Sequence, residues 1–128
     1  MHLNEELLRR EYEARAAGDP DALEAIFHER IVWHVPGRSA IAGTYRGRDE
    51  VMEYSRRRQE LANGTFEITV HDILVNDEWG LVVATGRAER HGRLQTWRAH
   101  GLYGFSEGRI AECRVLPEDQ YAFDEIWA

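Results

Sequence analysis

Cysteine is almost missing from this chain. Cys113 stands alone, which excludes both an intramolecular disulfide and a cysteine-based zinc cage. Also lacking is any apolar run of signal-peptide or membrane-span length: the opening stretch, MHLNEELLRREYE, is charged, so a soluble cytoplasmic protein with no membrane partner is the expectation. Positive charge is in deficit. A formal net charge of -7 disfavours a nucleic-acid partner, which would need a basic footprint. The one basic triplet, Arg56, Arg57 and Arg58, reads as a solvated helix face. His28, His34, His71, His91 and His100 are dispersed, with no HxxxH or HxH pair to set a coordination geometry, so no metal site is expected. No P-loop, GxGxxG or GxSxG turn occurs, which disfavours nucleotide hydrolysis, nicotinamide chemistry and serine acyl transfer. No metal or organic cofactor is called for, and no repeat, low-complexity tract or linker interrupts the chain.

What is present points to one packed domain, 1–128. Four Trp, five Tyr and four Phe, with 43% hydrophobic residues in 128, are the composition of a globule with a single core. The chain is organised around Leu81 to Phe105, two strands joined by a two-residue turn at His91-Gly92. That turn sets Arg90 opposite Arg93, Ala88 opposite Gln95, Gly86 opposite Trp97 and Ala84 opposite Ala99. One face then carries Val82, Ala84, Gly86, Ala88, Trp97, Ala99, Gly101, Tyr103 and Phe105, and the other Thr85, Arg87, Glu89, Thr96, Arg98 and His100. The apolar face is short of side-chain volume at its centre. It cannot fill a core at ordinary density alone, and a cavity is expected there. The glycines equally suit bending of the strands, which a curled sheet needs in any case.

Around this pair the other elements follow in order. Asn4 to Ala17 has the spacing of a one-sided helix stopped by Gly18; Asp19-Pro20 caps a second helix bearing Ala22, Leu23, Ile26 and Phe27. Arg30 to Val35 reads as a short strand, and SAIAGTYRG as a loop. A third helix runs from Arg48 or Asp49 to about Ala62, with Val51, Tyr54, Leu61 and Ala62 inward. Thr65 to Val75 alternates as a strand, a last strand follows the turn Ser106-Glu107-Gly108, and Asp119 to Trp127 forms a short terminal helix. Helices first and an antiparallel meander afterwards make an α+β plan with helices covering one face of the sheet. The mixed charges of the outer face suit either solvent or a second subunit.

The order of these elements resembles the nuclear transport factor 2-like superfamily, in particular its ketosteroid isomerase-like and SnoaL-like members. The stretches YEARAAGDPDALEAIF, VWHVPGRSAIAGTYRGRDEVMEY, GLYGFSEGRIAECRVL and DQYAFDEIW carry the likeness. It implies a cone: a strongly curved, mostly antiparallel sheet around a pocket closed by the N-terminal helices. The family includes isomerases, polyketide cyclases, dehydratases, epoxide hydrolases and non-catalytic binding domains, so fold alone selects no reaction. By this resemblance Tyr12 falls where the isomerases carry the tyrosine that donates to the enolate oxygen, and His34 where they carry the aspartate that moves the proton. A neutral imidazole at that place is a base near neutral pH. The isomerases' second oxyanion donor matches best at Gly101, which cannot serve. His100 beside it points to the opposite face in a regular strand, and a bulge would bring it inside. The hydrolase branch uses an Asp-Arg-Asp set inside the cone, whereas Arg87, Arg98 and Arg114 all point outward on this register.

The expected function is binding of a small apolar, aromatic or polycyclic molecule, with isomerase- or cyclase-type proton transfer next to a carbonyl as its catalytic form. Tyr12 and His34 are the expected catalytic pair. The expected lining is Val32, Tyr54, Ile68, Ala84, Gly86, Trp97, Tyr103, Cys113 and Val115. Each has a plainer role open to it: Tyr12 as a core residue with a hydrogen-bonded hydroxyl, His34 bonded to a neighbouring carbonyl, Trp97 as a cover for Gly86. The competing function is a non-catalytic module that forms a homodimer through the outer sheet face, its cavity incidental.

Overall fold

The computed structural model describes all of residues 1–128. The sequence opens with two helices, α1 (Leu3–Ala17) and α2 (Pro20–Ile26), whose junction is set by local chemistry. Gly18 ends α1 in the left-handed region at φ 63°, donating back to Ala14 and Arg15, and Asp19 caps α2 by accepting from the Ala22 N–H. Next come β1 (Phe27–Val35), β2 (Gly43–Arg46), α3 (Arg48–Leu61), β3 (Glu67–Val75), β4 (Trp79–Arg90), β5 (Arg93–Ser106), β6 (Arg109–Pro117) and α4 (Gln120–Ile126).

One curled, unclosed sheet of six strands holds the order β2-β1-β6-β5-β4-β3. Neighbours are antiparallel except β1 and β6, which run parallel with Trp33 beside Cys113. The fold is an α+β cone. Two features differ from the sequence reading. β2 lies within the stretch read as a loop, because four residues on a sheet edge are too few to show alternation. The β1–β6 pairing breaks the pure meander, since partners so distant in sequence leave no local signal.

The central hairpin keeps the expected register: Arg90 faces Arg93, Ala88 faces Gln95 and Gly86 faces Trp97. Its turn residues His91 and Gly92 both have positive φ, 56° and 78°, as a type I′ turn requires. Register shifts in β1 between Phe27 and Val32, at His71 in β3, and at Ala111 in β6 opposite Gly104 and Phe105 break the regular ladders, as bulges do where a sheet curls. Leu7 and Leu8 of α1, Val51 and Tyr54 of α3, and Phe123, Ile126 and Trp127 at the C-terminus all enter one hydrophobic core. Each such aliphatic side chain contributes roughly 1.5–3 kcal/mol by leaving water. Trp127 is fully buried, and its carbonyl accepts from the Ala40 N–H at 2.9 Å, so the terminal segment packs on its own cone.

Candidate functional site

The sparse inner face of the sheet is filled by rings that lie down along it. A Cβ added at Gly86 would meet the Trp97 indole at 2.4 Å, and one at Gly101 would meet the Tyr103 ring at 2.6 Å. Glycine is therefore what allows each ring to lie flat on the strand. The cavity that remains has a volume of about 50 Å³ open to the centres of water-sized molecules. One water takes roughly 10–15 Å³ of such space, so the void holds a few waters, about the bulk of a single six-membered ring. Its interior is smaller than a polycyclic occupant requires.

Tyr12, Tyr54, Ile68, Ala84, Trp97, Tyr103, Cys113 and Val115 line this cavity together. Gly86, Val32 and His34 do not, and for each the expected placement is corrected. Gly86 is covered by Trp97. From Ile31 onward the buried residues of β1 are Ile31, Trp33 and Val35, so Val32 and His34 alternate to the outer face. There His34 pairs in register with Thr44 and Arg114, and its Nδ1 lies 3.2 Å from Thr44 Oγ1. Partial burial and the Arg114 charge hold its pKa below the usual 6.5. Tyr12 and His34 thus lie on opposite sides of the sheet.

Tyr12 instead meets Tyr103, hydroxyl to hydroxyl at 2.7 Å. Burial pushes both phenols above their usual pKa, so both keep their protons. In such a pair one hydroxyl donates to the other, which leaves one O–H free for a third oxygen. The Cys113 thiol beside them is also pushed up by burial, which keeps it a poor nucleophile.

Charged side chains sit where the sequence reading expected none. Glu11 is fully buried and pairs with Arg15 one turn on, whose guanidinium lies 4.6 Å over the Tyr12 ring. Burial raises the Glu11 pKa, partly offset by Arg15. Burial works against the Arg15 charge, and Glu11 together with the smaller influences of Tyr103, Tyr12 and Cys113 outweighs it, holding the Arg15 proton more tightly than usual. Arg58, expected on a solvated face, is 5% exposed and lines the cavity. The signal was legible: Val51, Tyr54 and Arg58 fall at i, i+3 and i+7 on one helix face, and Leu7, Glu11 and Ala14 at i, i+4 and i+7 on α1.

His100 also lines the cavity, without a bulge on β5 against β4. The register is the same on both sides of it, Val82 with Gly101 and Thr85 with Arg98. The imidazole itself stands in the ladder: the Ala84 N–H donates to its Nδ1 at 3.2 Å, so the proton is on Nε2, which donates to Glu118 Oε2 at 2.7 Å.

An open cleft between α1, α2, α3 and β3 leads to the cavity, and Tyr12, Arg15, Arg58, Phe66 and Ile68 belong to both. These five residues form the throat of the cone. No helix is long and apolar enough to cross a membrane.

The family model described as a SnoaL-like domain matches residues 8–113. The chain belongs to the SnoaL-like family. It is 34% identical over 125 residues to the uncharacterized protein Rv0034 of Mycobacterium tuberculosis, covering 96% of this chain and 95% of that one. Bal32a, from a soil-derived mobile gene cassette, superposes with a TM-score of 0.94 at 33% identity, over 98% of this chain and 97% of its own. TerC, crystallised with polyporic acid, shares the fold with a TM-score of 0.86 at 17% identity, over 98% of both chains. An NTF2-like protein of Burkholderia pseudomallei shares the fold with a TM-score of 0.89 at 21% identity, over 100% of this chain and 99% of its own, the fold expected from the order of elements.

Proposed function

We propose that this SnoaL-like cone binds a small aromatic molecule, taken in through the cleft and held between the aromatic lining and the Tyr12–Tyr103 hydroxyl pair. The observation that carries this reading is the throat, where an open cleft and an aromatic-walled cavity share five residues. TerC, a neighbour by fold, was co-crystallised with polyporic acid, which supports small-molecule binding by a chain of this fold. The test is native mass spectrometry of the protein purified from the cells that make it, beside an Ala84→Phe variant that fills the cavity. A retained small molecule, lost from the variant, is the expected result. An empty wild-type protein that also takes up no aromatic compound in solution overturns the reading.

The catalytic form of this reading is proton transfer next to a carbonyl, of the isomerase or cyclase kind. With His34 on the outer face, His100 is the imidazole at hand. Its unprotonated Nδ1 holds only a 3.2 Å bond from Ala84, and Glu118 orients the ring. Once the Ala84 N–H releases the single Nδ1 lone pair, Nδ1 takes the proton from carbon and returns it, while the free hydroxyl of the Tyr12–Tyr103 pair donates to the enolate oxygen. This chemistry calls for no cofactor. Solvent deuterium exchange into the retained molecule by wild type, His100→Gln and Tyr12→Phe tests it; equal rates remove both residues from the mechanism.

A homodimer through the outer sheet face is a second reading, favoured by one observation. Leu74, Leu81 and Leu102 stand side by side across β3, β4 and β5 on that face, with Leu116 on β6 next to His100; Leu74 is 52% and Leu116 40% exposed.

A further inference from the structure

We infer that the throat of the cone is an anion site, in which Arg58 receives the carboxylate of a single-ring aromatic acid. This rests on the reading that the interior binds a small molecule and names the class of that molecule. Arg58 lies in both cleft and cavity and is 5% exposed. A guanidinium carries five N–H donors. Here Nη1 donates to Tyr54 Oη at 3.1 Å, Nη2 reaches Ser55 Oγ only at 3.4 Å, and the buried Nε has no partner. Phe66 lies against the guanidinium, its ring centre 4.0 Å from Cζ, and Tyr54 at 5.0 Å. A carboxylate docks along the donor edge of a guanidinium, and there Nη1 is engaged by Tyr54, Nη2 is held only weakly by Ser55 and Nε is buried without a hydrogen-bond partner.

Charge balance leads to the same site. Glu11 is the one buried carboxylate, and it is near enough to feel both Arg15 and Arg58, but its Oε1 is bound to Arg15. With Glu11 ionised, the two arginines leave the interior one positive charge in excess; with Glu11 protonated, they leave two. A buried cation without a counter-charge is costly in apolar surroundings, and an anionic ligand removes that cost. The excess is local, because the whole chain carries a net charge of -7. The rest of the ligand is set by the walls: Trp33, Tyr54, Phe66 and Trp97 present flat surfaces around a space of about one ring.

The probes are para-chlorobenzoate and para-chlorobenzamide, which match in size and differ in charge. Binding is followed by tryptophan fluorescence quenching and by ligand-observed NMR. Wild type is expected to bind the acid at least about tenfold more tightly than the amide, the scale of one charge-assisted bond. Arg58→Met is expected to abolish the preference while leaving amide binding in place, and Arg58→Lys to weaken it. Equal affinity for acid and amide in wild type overturns the anion site and leaves small-molecule binding standing. Binding of neither overturns both. A preference unchanged in the variants overturns the role of Arg58. Should Arg58→Met fail to fold by circular dichroism, the folded Arg58→Lys protein decides in the same way.

Discussion

The hydroxyls of Tyr12 and Tyr103 meet at 2.7 Å although ninety-one positions separate them in the chain. This bond ties α1 to the C-terminal part of β5 and fixes the depth at which the N-terminal helix sits over the sheet. The two rings cross edge to face, 6.3 Å between centres, so removing either hydroxyl leaves the ring contact in place.

Tyr12→Phe should therefore cost about 1 kcal/mol, because the Tyr103 hydroxyl loses its partner inside the protein. Tyr103→Phe should cost a similar amount. The double variant should fall clearly short of their sum, since neither orphan is then left. Urea denaturation of the three proteins measures this, and additive losses would show that the bond carries no coupling.

Glu11 gives stability a pH dependence of a definite sign. Burial raises its carboxyl pKa above the reference 4.5. Above that reference the native state holds the proton longer than the unfolded state does, so stability falls as pH rises from about 4.5 to the raised value and is level beyond it. Glu11→Gln removes this slope. Denaturation midpoints through the acid-to-neutral range, compared between wild type and Glu11→Gln, check the sign; parallel curves would exclude Glu11 as its source.

Gly86 is expected to be intolerant of even one methyl group. An added Cβ meets three atoms of the Trp97 indole at 2.4 to 2.6 Å. Moving a ring packed against Phe66, Phe123 and Trp127 should cost about 1–3 kcal/mol in Gly86→Ala. In a Trp97→Ala background the same change should cost far less. Thermal denaturation of the four proteins decides it, and an unrelieved penalty would place the clash elsewhere.

Periodicity made the central pair legible, register included, because a type I′ turn with alternating flanks admits few alternatives. It also pointed to the inward face of β1: in RIVWHV one parity is Ile31, Trp33 and Val35 and the other Arg30, Val32 and His34. The packing of Trp33 between Phe27, Tyr54 and Tyr103 follows the apolar set and sends His34 outward, whereas the family resemblance draws His34 into the site. Arg58 was obscured by a composition habit: three consecutive arginines look solvated, although Arg58 lies four residues after Tyr54 and so shares its buried face. His100 escaped the two-face description altogether, since its ring lies within the ladder.

The outer face gives an assembly prediction. If Leu74, Leu81 and Leu102 meet a second copy, Leu81→Glu places a carboxylate at the centre of that row and should convert a dimer to a monomer without altering the circular dichroism spectrum. Sedimentation velocity reads the change. A monomeric wild type would remove the dimer reading.

Cys113 reports on access to the interior. It is 1% exposed, lines the cavity and has a thiol that burial keeps protonated. A bulky disulfide reagent needs both contact and thiolate, so labelling in native buffer should be slow and should accelerate only with denaturant, following the unfolded fraction. Arg58→Ala, which widens the throat beside Tyr54 and Phe66, should speed native labelling before any loss of helix signal. If wild-type Cys113 reacts as fast as a free thiol under native conditions, the cavity is far more open than its 50 Å³ allows, and the single-ring limit on its occupant falls with it.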